Sequence, residues 1–506
     1  MNKIIKFLEE IFITQTFVQE FPVMILIILL LCAALCLIFK SGKISGLIAL
    51  LANFLGLLIA WQLIEMTKDG QIISYHLGNW APPVGIEFSI DVLNASIAFL
   101  VMLMAFLVTL FAPESITRKV PSEKHHLFYT AFLLCIAGSI GILLTGDAFN
   151  VFVFLEISSL ATYALIGLGS DNRSLTASFD YLIMGTIGAT FYLIGVGFLY
   201  AMTGTLNMAD LAVLLPAVQD THAVHVAFAF IAIGVCIKMA VFTLHFWLPN
   251  AYTYANAAIS IFIAATATKI ALYLLIRYFF VVFGYEFSFK IAHIQYIIMP
   301  LAVLGIVIAS VLAIYQRNIK RVMAYSSIAQ LGYMLLAISL ASHSGIRSAI
   351  IHLFNHALIK GCIFMAMGCM IYRVGSLRVS KFSGIAYEMP ISFACFVIGG
   401  LSLIGVPLTA GFISKWYLIT ALFEQSRWAL IILVLASSLV AVIYVWRVFE
   451  IAWFRPPLES RDRVTEAPLC MLIPTIILAS MNIILGINAL PIIKTAQRIS
   501  LLLLGE

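Results

Sequence analysis

Long runs of apolar residues, each near the ~20 needed for a helix to cross a bilayer, alternate along this chain with short polar stretches. Read as helices, they predict about fourteen transmembrane segments. These lie approximately at 22–39, 44–66, 90–111, 127–144, 148–168, 181–203, 224–246, 256–280, 295–315, 322–341, 348–372, 391–421, 429–453 and 467–488. The longest polar interruptions, Thr67 to Glu87, Pro113 to His126, Asn207 to His222 and Arg455 to Glu466, are only loop-sized. The expected fold is therefore an all-α integral membrane protein, one polytopic domain over residues 1–506. The first 21 residues mix apolar and charged side chains and predict an interfacial helix rather than a signal peptide.

Two of the apolar runs carry helix-breaking residues inside them. In LIGVPLTAGF, Pro407 removes a helical hydrogen bond while Gly405 and Gly411 loosen the backbone around it. In LHFWLPNAY, Pro249 marks the other expected break. Freed backbone groups at membrane depth are tolerable only inside protein or beside water, and paired interrupted segments in two halves mark inverted-repeat transporters. Repeats are expected over about 127–280 and 295–453. Gly195 and Gly197 sit inside an apolar span with no strand before them, so they read as helix-packing glycines and not as a dinucleotide loop.

Composition supports the membrane reading: 63% of the 506 residues are hydrophobic and 10% charged, against roughly a quarter charged in soluble domains. The net charge of +6 sits in short loops, which excludes a nucleic-acid surface. Lys40, Lys43, Arg118, Lys119, Lys124, Arg173, Arg317, Lys320, Arg321, Arg373, Arg378, Lys381, Arg447, Arg455, Arg461 and Arg463 follow odd-numbered spans. That is about 16, against about 5 after even-numbered ones, so both termini are expected to face away from the cytoplasm. The eight cysteines form no CxxC and no metal-ligand grouping. No redox cofactor, bound metal or catalytic residue is expected in this chain.

The charges inside spans form a short inventory: the basic residues Lys238, Lys269, Lys360 and Lys415, and the acid Glu156. An ionised side chain at the bilayer centre costs about 3 kcal/mol or more, so such residues face a polar interior and mark ion or proton pathways. His352, His356 and Lys360 are four residues apart, which places them on one helix face along roughly 12 Å at ~1.5 Å per residue. A strip of this kind can pass protons through intervening water. His245 and Trp247 read as residues that hold a helix break or belong to an aromatic interface belt, and Asp180 as a charge at a helix N-terminus. His125, His126, His222, His225, His293 and His343 read as loop or span-end residues.

Several segments in order carry a family resemblance: FLEISSLATYALIGL with Glu156, KMAVFTLHFWLPNAY with Lys238, TATKIALYLLIR with Lys269, NIKRVMAYSSIAQLGYMLL, HLFNHALIKGCIFM and GVPLTAGFISKW with Lys415. The chain resembles the antiporter-like subunits shared by respiratory complex I, membrane-bound hydrogenases and the Mrp cation/proton antiporters. Its length and the lysine of GFISKW look most like the D-type subunit of the Mrp antiporters. The resemblance implies a proton pathway of two half-channels, with Glu156 paired to Lys238, and Lys269 and the central histidines leading to Lys415. It also implies work inside a hetero-oligomer in a prokaryotic cell membrane.

The chain departs from the family pattern at Thr243, where a proline is usual, and at Asn250 and Asn318, where acids are usual. The seventh span is accordingly expected to be less sharply broken than in its relatives. The leading functional expectation is a proton-translocating subunit of a multisubunit Na+(K+)/H+ antiporter. Its rivals are a proton-pumping arm of a quinone reductase or membrane-bound hydrogenase complex and, further behind, a stand-alone solute symporter or channel.

Overall fold

The computed structural model describes residues 20–169, 171–457 and 463–505; the expected interfacial helix at residues 1–21 lies almost wholly outside them. Helices follow one another with short connections: α1 Phe21–Phe39, α2 Gly42–Thr67, α3 Val92–Thr117, α4 His125–Leu144, α5 Ala148–Gly167 and α6 Asn172–Thr203. Next come α7 Met208–Leu214, α8 His222–Met239, α9 Trp247–Tyr254, α10 Ala257–Ala265, α11 Ala267–Ile276 and α12 Gln295–Tyr315. The chain ends with α13 Ile319–Ser339, α14 His343–Val374, α15 Ile385–Glu388, α16 Pro390–Ile404, α17 Ala410–Glu424, α18 Trp428–Phe454, α19 Leu469–Ile487 and α20 Leu490–Leu504. Thirteen helices among the described residues are long and apolar enough to cross a membrane. The expected twelfth span is divided between α16 and α17, of 15 residues each. This is an all-α multi-pass membrane protein.

The spans divide by exposure. The third, fourth, eighth, tenth and eleventh are enclosed by the others, whereas the first, second, sixth, ninth and the last two present apolar side chains outward. Because lipid tails offer helices no hydrophobic reason to associate, close backbone approach matters more than side-chain polarity. The crossing of α6 and α8 shows this. A Cβ on Gly234 would stand 2.6 Å from the Gly188 carbonyl oxygen, and one on Gly195 2.6 Å from Ile231. Gly197 touches nothing nearby and is no packing residue. A two-stranded antiparallel ribbon, β1 Ile73–His76 with β2 Glu87–Ile90, covers the loop between the second and third spans, Ile73 opposite Ile90.

Helix starts are set by local polar caps. Asp91 accepts from the amides of Leu93 and Asn94, Asp147 from that of Asn150, and Ser342 from that of Gly345. Asn318 caps α13 by accepting from the Lys320 amide at 3.0 Å. A neutral amide does the capping there without a charge.

Both expected interruptions exist, and the seventh-span break differs from expectation in place and sharpness. Helix α8 stops at Met239, and Ala240 and Thr243 take left-handed backbone, with φ of 60° and 67°. A proline at 243 could not adopt that angle, since its ring fixes φ near −65°; threonine completes the break here. Pro249 instead lies in the first turn of α9, where its missing amide hydrogen costs nothing. At the twelfth span the helix ends at Ile404, Gly405 has φ of 93°, and α17 restarts at Ala410 after Pro407. The eighth span is also discontinuous: α10 ends at Ala265 and α11 begins after Thr266.

Candidate functional site

The interruptions free carbonyl groups inside the bundle, and buried lysines meet them. Lys269, 1% exposed, donates to the Ala264 carbonyl at the end of α10 over 2.5 Å. Lys415 donates to the Ile404 carbonyl at the end of α16, 2.7 Å away, and to Ser438 Oγ at 2.8 Å. Lys238 stands in the last turn of α8. A helix C-terminus carries roughly half a negative charge, so each of these ammonium groups is placed where the backbone itself favours a cation. The breaks therefore supply electrostatic seats as well as flexibility.

Lys320 completes the pattern, and sequence reasoning missed it. Counted among the loop charges, it is 2% exposed and donates to the Ala255 carbonyl at the end of α9 (3.0 Å) and to Ser260 Oγ on α10 (2.9 Å). Its position one residue inside a helix start hid its burial, because nothing local shows that α9 and α10 lie over it. Above it opens a cavity of about 690 Å³ lined by Arg118, Lys119, Arg173, Arg317 and Arg378. Burial holds the Lys119 ammonium pKa below the usual lysine value, with the nearby Asp171 charge opposing that shift. Lys320 thus separates a basic, open mouth from the enclosed lysines. Replacing it with methionine, similar in length but apolar, should slow proton movement in vesicles about 100-fold, the low end for loss of a positioned proton-transfer group, with normal complex assembly. An unchanged rate would make Lys320 only a clasp between α13 and the α9–α10 break.

The strip on α14 is formed as spaced. The rings of His352 and His356 lie parallel within 8°, their centroids 5.8 Å apart. His352 Nδ1 bonds Ser414 Oγ at 2.9 Å, one residue before Lys415, which ties the strip to the twelfth span. Lys360, fully buried, donates to the Met323 carbonyl at 2.9 Å and to Ser326 Oγ on α13. Both nitrogens of His356 and Nε2 of His352 are buried without a protein partner. Buried polar groups of this kind are ordinarily satisfied by water.

Glu156 and Lys238 come close without a direct ion pair. The ammonium donates to Ser159 Oγ at 2.7 Å, and Ser159 lies three residues along α5 on the face of Glu156. Oε1 of Glu156 is buried and has no hydrogen-bond partner. The serine holds the lysine one helical turn from the carboxylate.

At the seventh-span break, Trp247 donates from its indole to the Ile237 carbonyl at 3.0 Å and stacks on Tyr181 at 4.2 Å, so it fastens the interruption. His245 is buried between Phe242 and Phe246. Asp180 is not at a helix N-terminus, since α6 starts at Asn172; its carboxylate accepts from Asn250 Nδ2 at 2.9 Å. An acid at 250 would set two carboxylates against each other, which the asparagine avoids. Pro249 and Asn250 line a cavity of about 670 Å³ on this flank. Among the described residues no group of three or more His, Cys, Asp or Glu could hold a metal ion.

A polytopic helical protein with interrupted seventh, eighth and twelfth spans, each seating a buried lysine, is a membrane subunit of the antiporter-like class. The transmembrane family described as NADH:quinone oxidoreductase/Mrp antiporter matches residues 145–441, and the chain belongs to that family. It is 41% identical to NADH-quinone oxidoreductase subunit N of Desulforudis audaxviator over 438 residues, 84% of this chain and 86% of that protein. It is 29% identical to the D-type subunit of the Na(+)/H(+) antiporter of Bacillus subtilis over 464 residues, 91% and 93% of the two chains. Among solved structures it superposes on a chain of the membrane-bound sulfane sulfur reductase, an archaeal respiratory membrane complex, with a TM-score of 0.88 and 30% identity over 96% of this chain and 97% of that one.

Proposed function

We propose that this chain is a proton-translocating membrane-arm subunit of a redox-driven complex of the quinone-reductase type, seated in a prokaryotic cell membrane beside other antiporter-like subunits. The observation that carries this reading is the 41% identity to a subunit N over 438 residues, against 29% for the Bacillus subtilis antiporter subunit over 464. The sulfane sulfur reductase, at 30% identity, supports it from a second redox complex. The chain's own part is transport, and the redox chemistry belongs to partner subunits.

In this reading protons reach Lys320 from the basic cavity, pass to Lys269 and Lys360, and continue along His356 and His352 to Lys415. Each lysine is held by a carbonyl or hydroxyl that can keep the neutral amine as well as the ammonium, so loss of a proton leaves no bond geometry to rebuild. Glu156 biases Lys238. A carboxylate nearby favours the charged amine while burial disfavours it, so a small shift of α5 against α8 changes which form wins.

A second reading, a subunit of a Na+(K+)/H+ antiporter, is favoured by the fuller alignment with the Bacillus subtilis antiporter subunit, which spans 91% of this chain. Pulling the intact complex down on a tag carried by this chain tests the choice. Quinone-site and iron–sulfur subunits are expected by mass spectrometry, together with a proton gradient in vesicles driven by electron transfer and indifferent to Na+ or K+. Small antiporter subunits, and a gradient that collapses on adding either cation, would overturn the redox reading.

A further inference from the structure

A second strip of titratable and charged side chains runs in the opposite direction from Lys269. Lys269 and Tyr273 lie four residues apart on α11, and Arg277, four further on, opens the π-helical stretch that continues it to Val282. At 3.6 residues per turn they share one face, and the eight residues span roughly 12 Å. Tyr273 is buried, its hydroxyl donating to the Leu143 carbonyl at 3.1 Å and accepting from Arg277 Nε at 3.2 Å. Arg277 reaches Asp91 Oδ2 at 2.7 Å, with the two side chains 12% and 21% exposed.

The Asp91 carboxylate is fixed from its other side. Its Oδ1 accepts the amides of Leu93 and Asn94 at 2.9 and 3.0 Å, and the Asn94 side chain donates to the same Leu143 carbonyl that takes the Tyr273 hydroxyl. Asp91 precedes the third span and Arg277 ends the eighth. Both therefore lie on the face opposite the basic cavity above Lys320, so the polar line Lys320, Ser260, Ala264, Lys269, Tyr273, Arg277 and Asp91 runs from one face of the bundle to the other.

We propose that Tyr273 and the Arg277–Asp91 pair form an outer proton leg by which Lys269 exchanges protons with that opposite face, an inference that rests on the proton-translocating reading above. Through water bridging the one helical turn between them, the Lys269 ammonium gives a proton to the Tyr273 oxygen while the tyrosine's own hydroxyl proton turns from Leu143 and leaves toward Asp91, so the ring is never left charged. Asp91 then releases one proton to solvent and returns to its ion pair. The net transfer is one proton from Lys269 to solvent. Arg277, which does not deprotonate in proteins, keeps Asp91 ready to accept and repels metal cations from the mouth, as a lone arginine does in other selective pores.

The test uses the intact host complex in vesicles, with proton movement normalised to assembled complex. Lys269→Ala should abolish it. Tyr273→Phe keeps the ring and its packing and should lower the rate about 100-fold, as loss of a positioned proton carrier does. Asp91→Asn should lower it similarly, and formate or azide added on the side facing residue 91 should restore part of that loss, which no purely structural defect would allow. Wild-type rates in Tyr273→Phe, or no rescue of Asp91→Asn, alongside an inactive Lys269→Ala, overturn this leg alone. Full activity in Lys269→Ala removes the translocation reading itself. Where Asp91→Asn reduces assembly, Tyr273→Phe decides.

Discussion

Lys238→Ala will lose proton translocation by about 100-fold or more, the range for removing a group that carries a proton, while the complex still assembles. Lys238 stands in the last turn of α8 with its ammonium on Ser159, one turn from the half-buried Glu156, whose Oε1 is buried without a hydrogen-bond partner. Removing the amine leaves Glu156 without a cation and breaks the only described side-chain bond between α5 and α8 at this depth. The informative companion is Lys238→Arg. It preserves the charge and most of the length, but a guanidinium stays protonated, so it should be nearly as inactive as alanine. Glu156→Gln, which keeps the shape and removes the charge, should lose roughly tenfold. Dye-reported gradients in vesicles, with the amount of complex measured on native gels, check all three; an active arginine variant would mean that Lys238 supplies charge and carries no proton.

Gly405→Ala will damage transport more than Pro407→Ala. Gly405 has φ of 93° and a Cβ there would stand 2.9 Å from Lys415 Cδ. The left-handed backbone alone costs about 1–2 kcal/mol for a residue with a side chain, and the methyl pushes the lysine stem off the Ile404 carbonyl and Ser438 to which it is bonded. Transport should fall about tenfold or more, as for a misplaced proton-transfer group, with a lowered unfolding temperature of the complex. At Pro407 the loss of the ring leaves the interruption in place. Gly405, the left-handed Leu408 with φ of 68°, and Gly411, whose amide donates to Ser402 Oγ at 3.1 Å, still define it. A Cβ at Gly411 would overlap the Ser402 carbonyl, so the close approach of α16 and α17 depends on that glycine. Thermal unfolding and vesicle transport of the two variants side by side measure the difference, and equal damage would return the break to the proline.

The enclosed lysines Lys238, Lys269, Lys360 and Lys415 were legible because charge inside an apolar run is a local signal. Lys320 was not, since one residue past a loop it looks like any orientation-setting cation, and its partners Ala255 and Ser260 are 65 and 60 positions away. The same limit applies to Asp91 and Arg277, ordinary span-end charges in the sequence that meet only when the third and eighth spans pack. Pro249 misled for a different reason: a proline forbids a helix interior but suits a helix start, and only the backbone angles at Ala240 and Thr243 show which role it has.

By itself, then, the sequence determined the number and rough limits of the spans, the presence of two interruptions and the family, because hydropathy, helix-breaking residues and motifs are all properties of contiguous stretches. Tertiary structure alone decided which freed carbonyl each lysine meets, that Ser159 stands between Lys238 and Glu156, and that a polar line runs along α10 and α11 to Asp91. Those are matters of which helix end lies against which side chain, and with lipid unable to rank one apolar helix face over another, only the close packing of the assembled bundle sets them.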